Sequence, residues 1–90
     1  MTQSHWKPDL YVISRFLETL WLKQKNYKKT NLQMAVKLNY DVYMKYLSWL
    51  EEKGLITISL ENEHHYVKIT TKGVEVYNTV VIWMKETIGE

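Results

Sequence analysis

The chain has no cysteine, one proline and three glycines in 90 residues. Without cysteine there is no disulfide framework and no thiolate zinc site, so a zinc ribbon is excluded. Gly54, Gly73 and Gly89 stand far apart, and no glycine-rich phosphate loop is present. No apolar run approaches the roughly 20 residues needed to span a bilayer. The opening MTQSHWKPDL lacks the apolar core of a signal peptide. These absences read as a soluble cytoplasmic chain with no membrane partner. No Ser/His/Asp or Cys/His set has a supporting motif either. His64 and His65 are adjacent, so on a strand they point to opposite faces and chelate poorly together. Glu51 and Glu52 read as the acidic surface of a helix. No catalytic residue, metal ligand or cofactor is assigned, and the chain does not read as an enzyme.

What is present is 46% hydrophobic, which argues for a folded chain, and 90 residues make one domain. So short a chain buries a limited core and often gains stability from a partner subunit. The stretch from Lys28 to Ile56 organises the rest. Thr30 is a good N-cap for a short helix with Leu32 and Val36 on one ridge. Asn39 can cap a second helix, about residues 40–53, on which Tyr43, Tyr46, Leu47 and Leu50 form a core-facing stripe. Gly54 fits the position after the last turn, where the chain needs positive φ. A short helix, a turn and a longer helix with a polar outer face is the helix-turn-helix plan, in which the second helix can enter a DNA major groove.

Before this unit, Pro8 and Asp9 suit the first turn of a helix spanning residues 8 to 24. Leu10, Ile13, Phe16, Leu17, Leu20 and Trp21 would face inward, and Ser14, Arg15, Glu18 and Thr19 outward. Residues 1–7 read as a loose tail and 23–29 as a polar connection. After Gly54 the period changes to two. Ile56, Ile58 and Leu60 predict one strand, Val67 and Ile69 a second, with a polar turn at 61–64. This hairpin stands where a wing would. Thr70 or Thr71 can cap a last helix, from about Lys72 to Ile88.

That helix carries two apolar strips. Val74, Tyr77, Val81, Met84 and Ile88 follow a heptad spacing, with Val76, Val80 and Trp83 beside them. The first strip is assigned to a homodimer seam. The second is assigned to the chain's own first helix, because so small a domain would not cover both.

Charge is uneven. The net value is +2, from 12 basic and 10 acidic residues. Residues 23–45 hold Lys23, Lys25, Lys28, Lys29, Lys37 and Lys45 against Asp41 alone, while residues 46–90 hold four lysines against seven glutamates. Positive charge on the helix-turn-helix half is the footprint of a phosphate-backbone partner.

The residues Lys29, Thr30, Leu32, Val36, Leu38, Asn39, Tyr40, Lys45, Tyr46, Leu47, Leu50, Lys53, Gly54, Leu55 and Ile56 resemble the small archaeal winged-helix regulators. The run from Tyr66 to Tyr77 is similar to the end of their wing and the start of their last helix. The resemblance covers roughly residues 10–88. It implies an α+β winged helix-turn-helix: three helices, a β-hairpin wing and a long C-terminal helix. Residues 8–71 would form the winged unit and 72–90 the dimerisation helix. Several members dimerise through that helix as an antiparallel coiled coil.

The resulting expectation is a dimeric double-stranded DNA-binding protein, a transcriptional regulator or an architectural protein. Phosphate contacts fall to Lys28, Lys29, Lys37 and Lys45, assisted by Thr30 at its helix start. Base contacts fall to Tyr40, Asp41, Val42, Met44, Lys45 and Ser48, and Gln33 and Asn39 are counted with the DNA-binding residues without a separate role. The wing tip carries Glu61 and Glu63 where a DNA-contacting wing usually has Arg or Lys. That departure keeps open a second reading, a winged-helix protein-interaction module.

Overall fold

The computed structural model describes residues 6–23 and 26–88. The first five residues of the expected tail, residues 24–25 of the connection and the last two residues lie outside the described part. The order is α1 (Leu10–Glu18) continued by a π-helical turn (Thr19–Lys23), β1 (Asn26–Lys28), α2 (Lys29–Val36), α3 (Tyr40–Glu52), β2 (Ile56–Glu61) and β3 (His64–Ile69). A C-terminal helix follows in three joined parts: α4 (Thr71–Val76), a second π-helical turn (Tyr77–Val81) and α5 (Ile82–Thr87). The sheet is antiparallel in the order β1-β3-β2. The expected α+β winged-helix architecture is present, with one strand more than the sequence predicts.

That strand is β1. Asn26, Tyr27 and Lys28 pair with Lys68, Val67 and Tyr66, so the stretch read as a polar connection is the third strand of the sheet. It also moves the start of α2. The extended chain enters the helix with Lys28 as N-cap, at φ −60° and ψ 139°, and its side chain makes no cap bond. Thr30 therefore sits inside the first turn, not before it. The hairpin between β2 and β3 turns through Asn62 and Glu63, both at positive φ (49° and 68°). Two consecutive left-handed residues match the twist of the strands they join.

The first helix starts later than expected. Asp9 is its N-cap, with its carboxylate accepting from the Tyr11 N–H at 2.7 Å. Ser14 and Thr19, expected to face outward, are buried. Ser14 meets its hydrogen-bonding need locally by donating to the Tyr11 carbonyl at 3.1 Å. The wider π turn that begins at Thr19 changes the residue phase from there on, which a straight 3.6-residue reading does not anticipate.

The core is one cluster built from Phe16, Leu17, Leu20, Leu32, Val36, Tyr43, Leu47, Leu50, Ile56, Val67 and Val81, all essentially inaccessible. The C-terminal helix begins with Thr70, whose hydroxyl accepts from the Gly73 N–H at 3.0 Å. Gly73 lies so near the β2 root that a Cβ there would stand 2.3 Å from the Leu55 carbonyl oxygen. This close approach sets which way the helix faces. Tyr77, Val81 and Met84 turn into the chain's own core, at 5%, 0% and 2% exposure. The expected assignment of the two strips therefore fails for most of their residues, Val76 alone of the second strip packing against the core as expected. The heptad strip is covered from within, Val74 being half-buried beside it, and Val80 and Trp83 are exposed, as is Ile88 at the helix end. The domain covers most of the heptad strip and the Val76 end of the other, which is not the division expected.

Candidate nucleic-acid interface

The outward face of α3 is held in place by what lies beneath it. Asn39 accepts from the Val42 N–H through its side-chain oxygen at 3.0 Å and starts the helix. At the other end, Gly54 N–H donates to the Glu51 carbonyl and Leu55 N–H to the Leu50 carbonyl, at 3.0 and 2.9 Å. That pair of bonds, with Gly54 at φ 78°, is a Schellman closure. On the inner face, Phe16 stacks on both Tyr43 and Tyr46, with centroids 5.9 Å apart in each case. Both ends and the inner stripe thus fix the rotation of α3. Asp41, Lys45, Ser48 and Glu52, spaced four, three and four residues apart, are left facing outward. They border an open groove of about 520 Å³ together with Met44, Trp49 and Trp6.

A second, more enclosed cavity of about 290 Å³ lies where three elements meet. Lys28, Lys29, Thr30 and Gln33 come from the start of α2, Tyr40 and Tyr43 from the start of α3, and Glu63, His64 and His65 from the wing. The Tyr43 hydroxyl donates to the Lys29 carbonyl, tying α3 to α2. Burial raises the Tyr43 pKa above that of a free phenol, so the hydroxyl remains a donor. Among the described residues the N-cap Lys28 makes no side-chain cap bond to α2, and Lys28 and Lys29 stand at this helix start.

The structure sorts the predicted residues. Lys28, Lys29, Thr30, Gln33 and Tyr40 line one cavity, and Asp41, Met44, Lys45 and Ser48 border the other. Lys37 is the exposed left-handed residue that ends α2, at φ 60°. Three predicted contacts have structural work. The Gln33 amide donates to the Leu38 carbonyl at 3.2 Å, and the Asn39 oxygen is the cap just described. Val42 is half-buried and packs against the core, so it lies off the outward stripe. Arg15 donates to the Val36 carbonyl at 2.6 Å and closes the end of α2.

At the wing, Glu61 accepts from the Ser59 hydroxyl at 3.0 Å and pairs with Lys68 at 3.4 Å. Its charge is partly answered within the hairpin. Glu63, at the turn, lines the lysine cavity. Among the described residues, no three His, Cys, Asp or Glu side chains come together as a metal site. No helix among them is long and apolar enough to cross a membrane. Sequence reasoning places Trp6 in a loose tail. Nothing local in the sequence marks its docking site, which lies forty residues away on Tyr46.

A family model described as winged helix-turn-helix matches residues 9–86. No curated protein matches the sequence. Several solved structures are similar. One is Sso10a-2, a DNA-binding protein from Sulfolobus solfataricus, at TM-score 0.74 and 22% identity, over 89% of this chain and 81% of that one. Another is a winged-helix DNA-binding protein from STIV, at TM-score 0.81 and 12% identity, over 91% and 96%. A third is MepR, a transcription regulator of a Staphylococcus aureus multidrug efflux pump. It gives TM-score 0.72 and 18% identity, over 83% of this chain and 57% of that longer protein.

Proposed function

The chain belongs to the winged helix-turn-helix family, and from that premise we propose that it binds double-stranded DNA, as a transcriptional regulator or an architectural protein of the cytoplasm. The observation that carries this reading is the outward stripe of α3, exposed on a helix whose rotation is fixed by its caps and inner face. In a major groove, Lys45 can bond guanine, Ser48 either base type, and Met44 can pack on a thymine methyl. Lys28 and Lys29 at the start of α2 supply phosphate contacts. The similar structures are two DNA-binding proteins and a transcription regulator, which supports the same partner.

Assembly as a homodimer is the second element of the reading. It rests on the exposed side of the C-terminal helix, where Val80 and Trp83 are one turn apart and 37% and 56% accessible. A second copy on this strip would place two α3 helices on one duplex. The competing reading, a protein-interaction module, is favoured by Glu63 at the wing turn and Glu51 and Glu52 on α3. Selection of bound sequences from random duplex DNA tests the proposal. A recovered motif that changes when Lys45→Ala and Ser48→Ala are introduced supports α3 as the reader. Recovery of no duplex above background favours the interaction module instead.

A further inference from the structure

Tyr46 clamps the stretch before α1 to α3. Trp6 lies edge-on to Tyr46, with centroids 5.1 Å apart and planes at 76°. Three residues later, the Asp9 N–H donates to the Tyr46 hydroxyl at 2.7 Å. Tyr46 is itself buried against Phe16. Both ends of Trp6–Asp9 are thus fixed to one ring, and Trp6 stands as a wall of the groove along the outer face of α3.

The position of that wall matters. At about 100° per residue, Tyr40 and Trp49 fall on opposite shoulders of the stripe Asp41, Lys45, Ser48 and Glu52. The Tyr40 shoulder borders the wing, through the cavity it shares with Glu63, His64 and His65. The Trp49 shoulder borders Trp6. A helix about 10–12 Å across seated in a major groove about 12 Å wide meets one phosphate strand at each shoulder. The wing side has Lys28 and Lys29 for its strand. On the groove side, the lining residues include one cation, Lys45, and two carboxylates, Asp41 and Glu52. Lys7 is not among the lining residues, but it follows Trp6 in the chain and is exposed, so it is the nearest further cation in sequence to that wall.

Resting on the DNA reading above, we infer that Trp6 and Lys7 form a second backbone-contacting flank of the interface, on the side of α3 away from the wing. Lys7 meets a phosphate, and the Trp6 ring packs on the sugar beside it. Tyr46 is the positioning residue, reaching DNA only through the stretch it holds.

The test is affinity for one duplex across a salt series, joined to phosphate-ethylation interference, on the full chain. Lys7→Ala should lower the log–log salt slope by about 0.9. Trp6→Ala should remove the interference signals of one strand edge and keep those of the other. Tyr46→Phe, which keeps the ring and loses the acceptor for Asp9, should weaken the same edge only. A wild-type slope that falls in the Lys28→Ala, Lys29→Ala double variant but not in Lys7→Ala, with both edges intact in Trp6→Ala, overturns the flank and leaves the DNA reading standing. A wild-type slope near zero overturns both.

Discussion

Two helices of this domain differ in what they leave exposed. The outer stripe of α3 is Asp41, Lys45, Ser48 and Glu52, all polar. The exposed side of the C-terminal helix carries Val80 and Trp83. Their inner faces are alike: Tyr43, Leu47 and Leu50 on one, Tyr77, Val81 and Met84 on the other, all in the core. Inner faces of this kind hold the fold. Under the proposed function the two outer faces would suit different partners, a hydrated, charged duplex for α3 and a second copy for the last helix. The apolar face is the costlier one to leave in water, since contiguous exposed patches are uncommon on monomers.

The comparison can be broken most sharply from the inside. Leu47→Ala, at a side chain 1% exposed, should destabilise the fold by about 2–5 kcal/mol in chemical denaturation. A smaller effect would mean that α3 is not anchored as described. Gly73→Ala comes next. A methyl 2.3 Å from the Leu55 carbonyl forces the last helix away from the β2 root, at a cost of about 1–3 kcal/mol. Asn39→Ala removes the α3 cap and should cost about 1 kcal/mol.

The outer faces should respond in the opposite way. Val80→Glu with Trp83→Glu should turn a sedimenting dimer into a folded monomer, with stability lowered only by what association contributes. A wild type that is already monomeric at tens of micromolar would contradict the contrast between the two helices. The smallest effect belongs to Lys85→Ala. Its ammonium meets Glu18 at 2.5 Å, and that hydrogen bond raises the Lys85 pKa, but both side chains remain partly exposed to solvent. An exposed pair of this kind contributes at most about 1 kcal/mol, visible as a slight shift of the thermal midpoint.

The same contrast explains what the residues disclosed in advance. The caps, inner stripe and glycine closure of α3 were legible because each is a local signal, complete within a few residues. The hairpin was legible for the same reason. β1 was not, because Asn26, Tyr27 and Lys28 are too few to show a period and their partner strand lies forty residues on. The Thr30 cap failed as a consequence, since that strand delivers the chain to the helix two residues early. The strips of the last helix were both seen, but periodicity shows that a face is apolar and not what covers it. The orienting contact at Gly73 is tertiary. Of the candidate interface, Lys45 and Ser48 were readable as outward positions of α3. Trp6 was not, because its place depends on a long-range clamp to Tyr46.

The most direct test of the central claim, that the helix-turn-helix face meets duplex DNA through lysines at the start of α2, is affinity for a single duplex measured across a salt series. Phosphate neutralisation predicts a steep log–log slope for the wild type. For the Lys28→Ala, Lys29→Ala double variant it predicts a slope shallower by about 1.8, or about 0.9 for each lysine removed from a phosphate. A wild-type slope near zero, or a double variant with the wild-type slope, would contradict it.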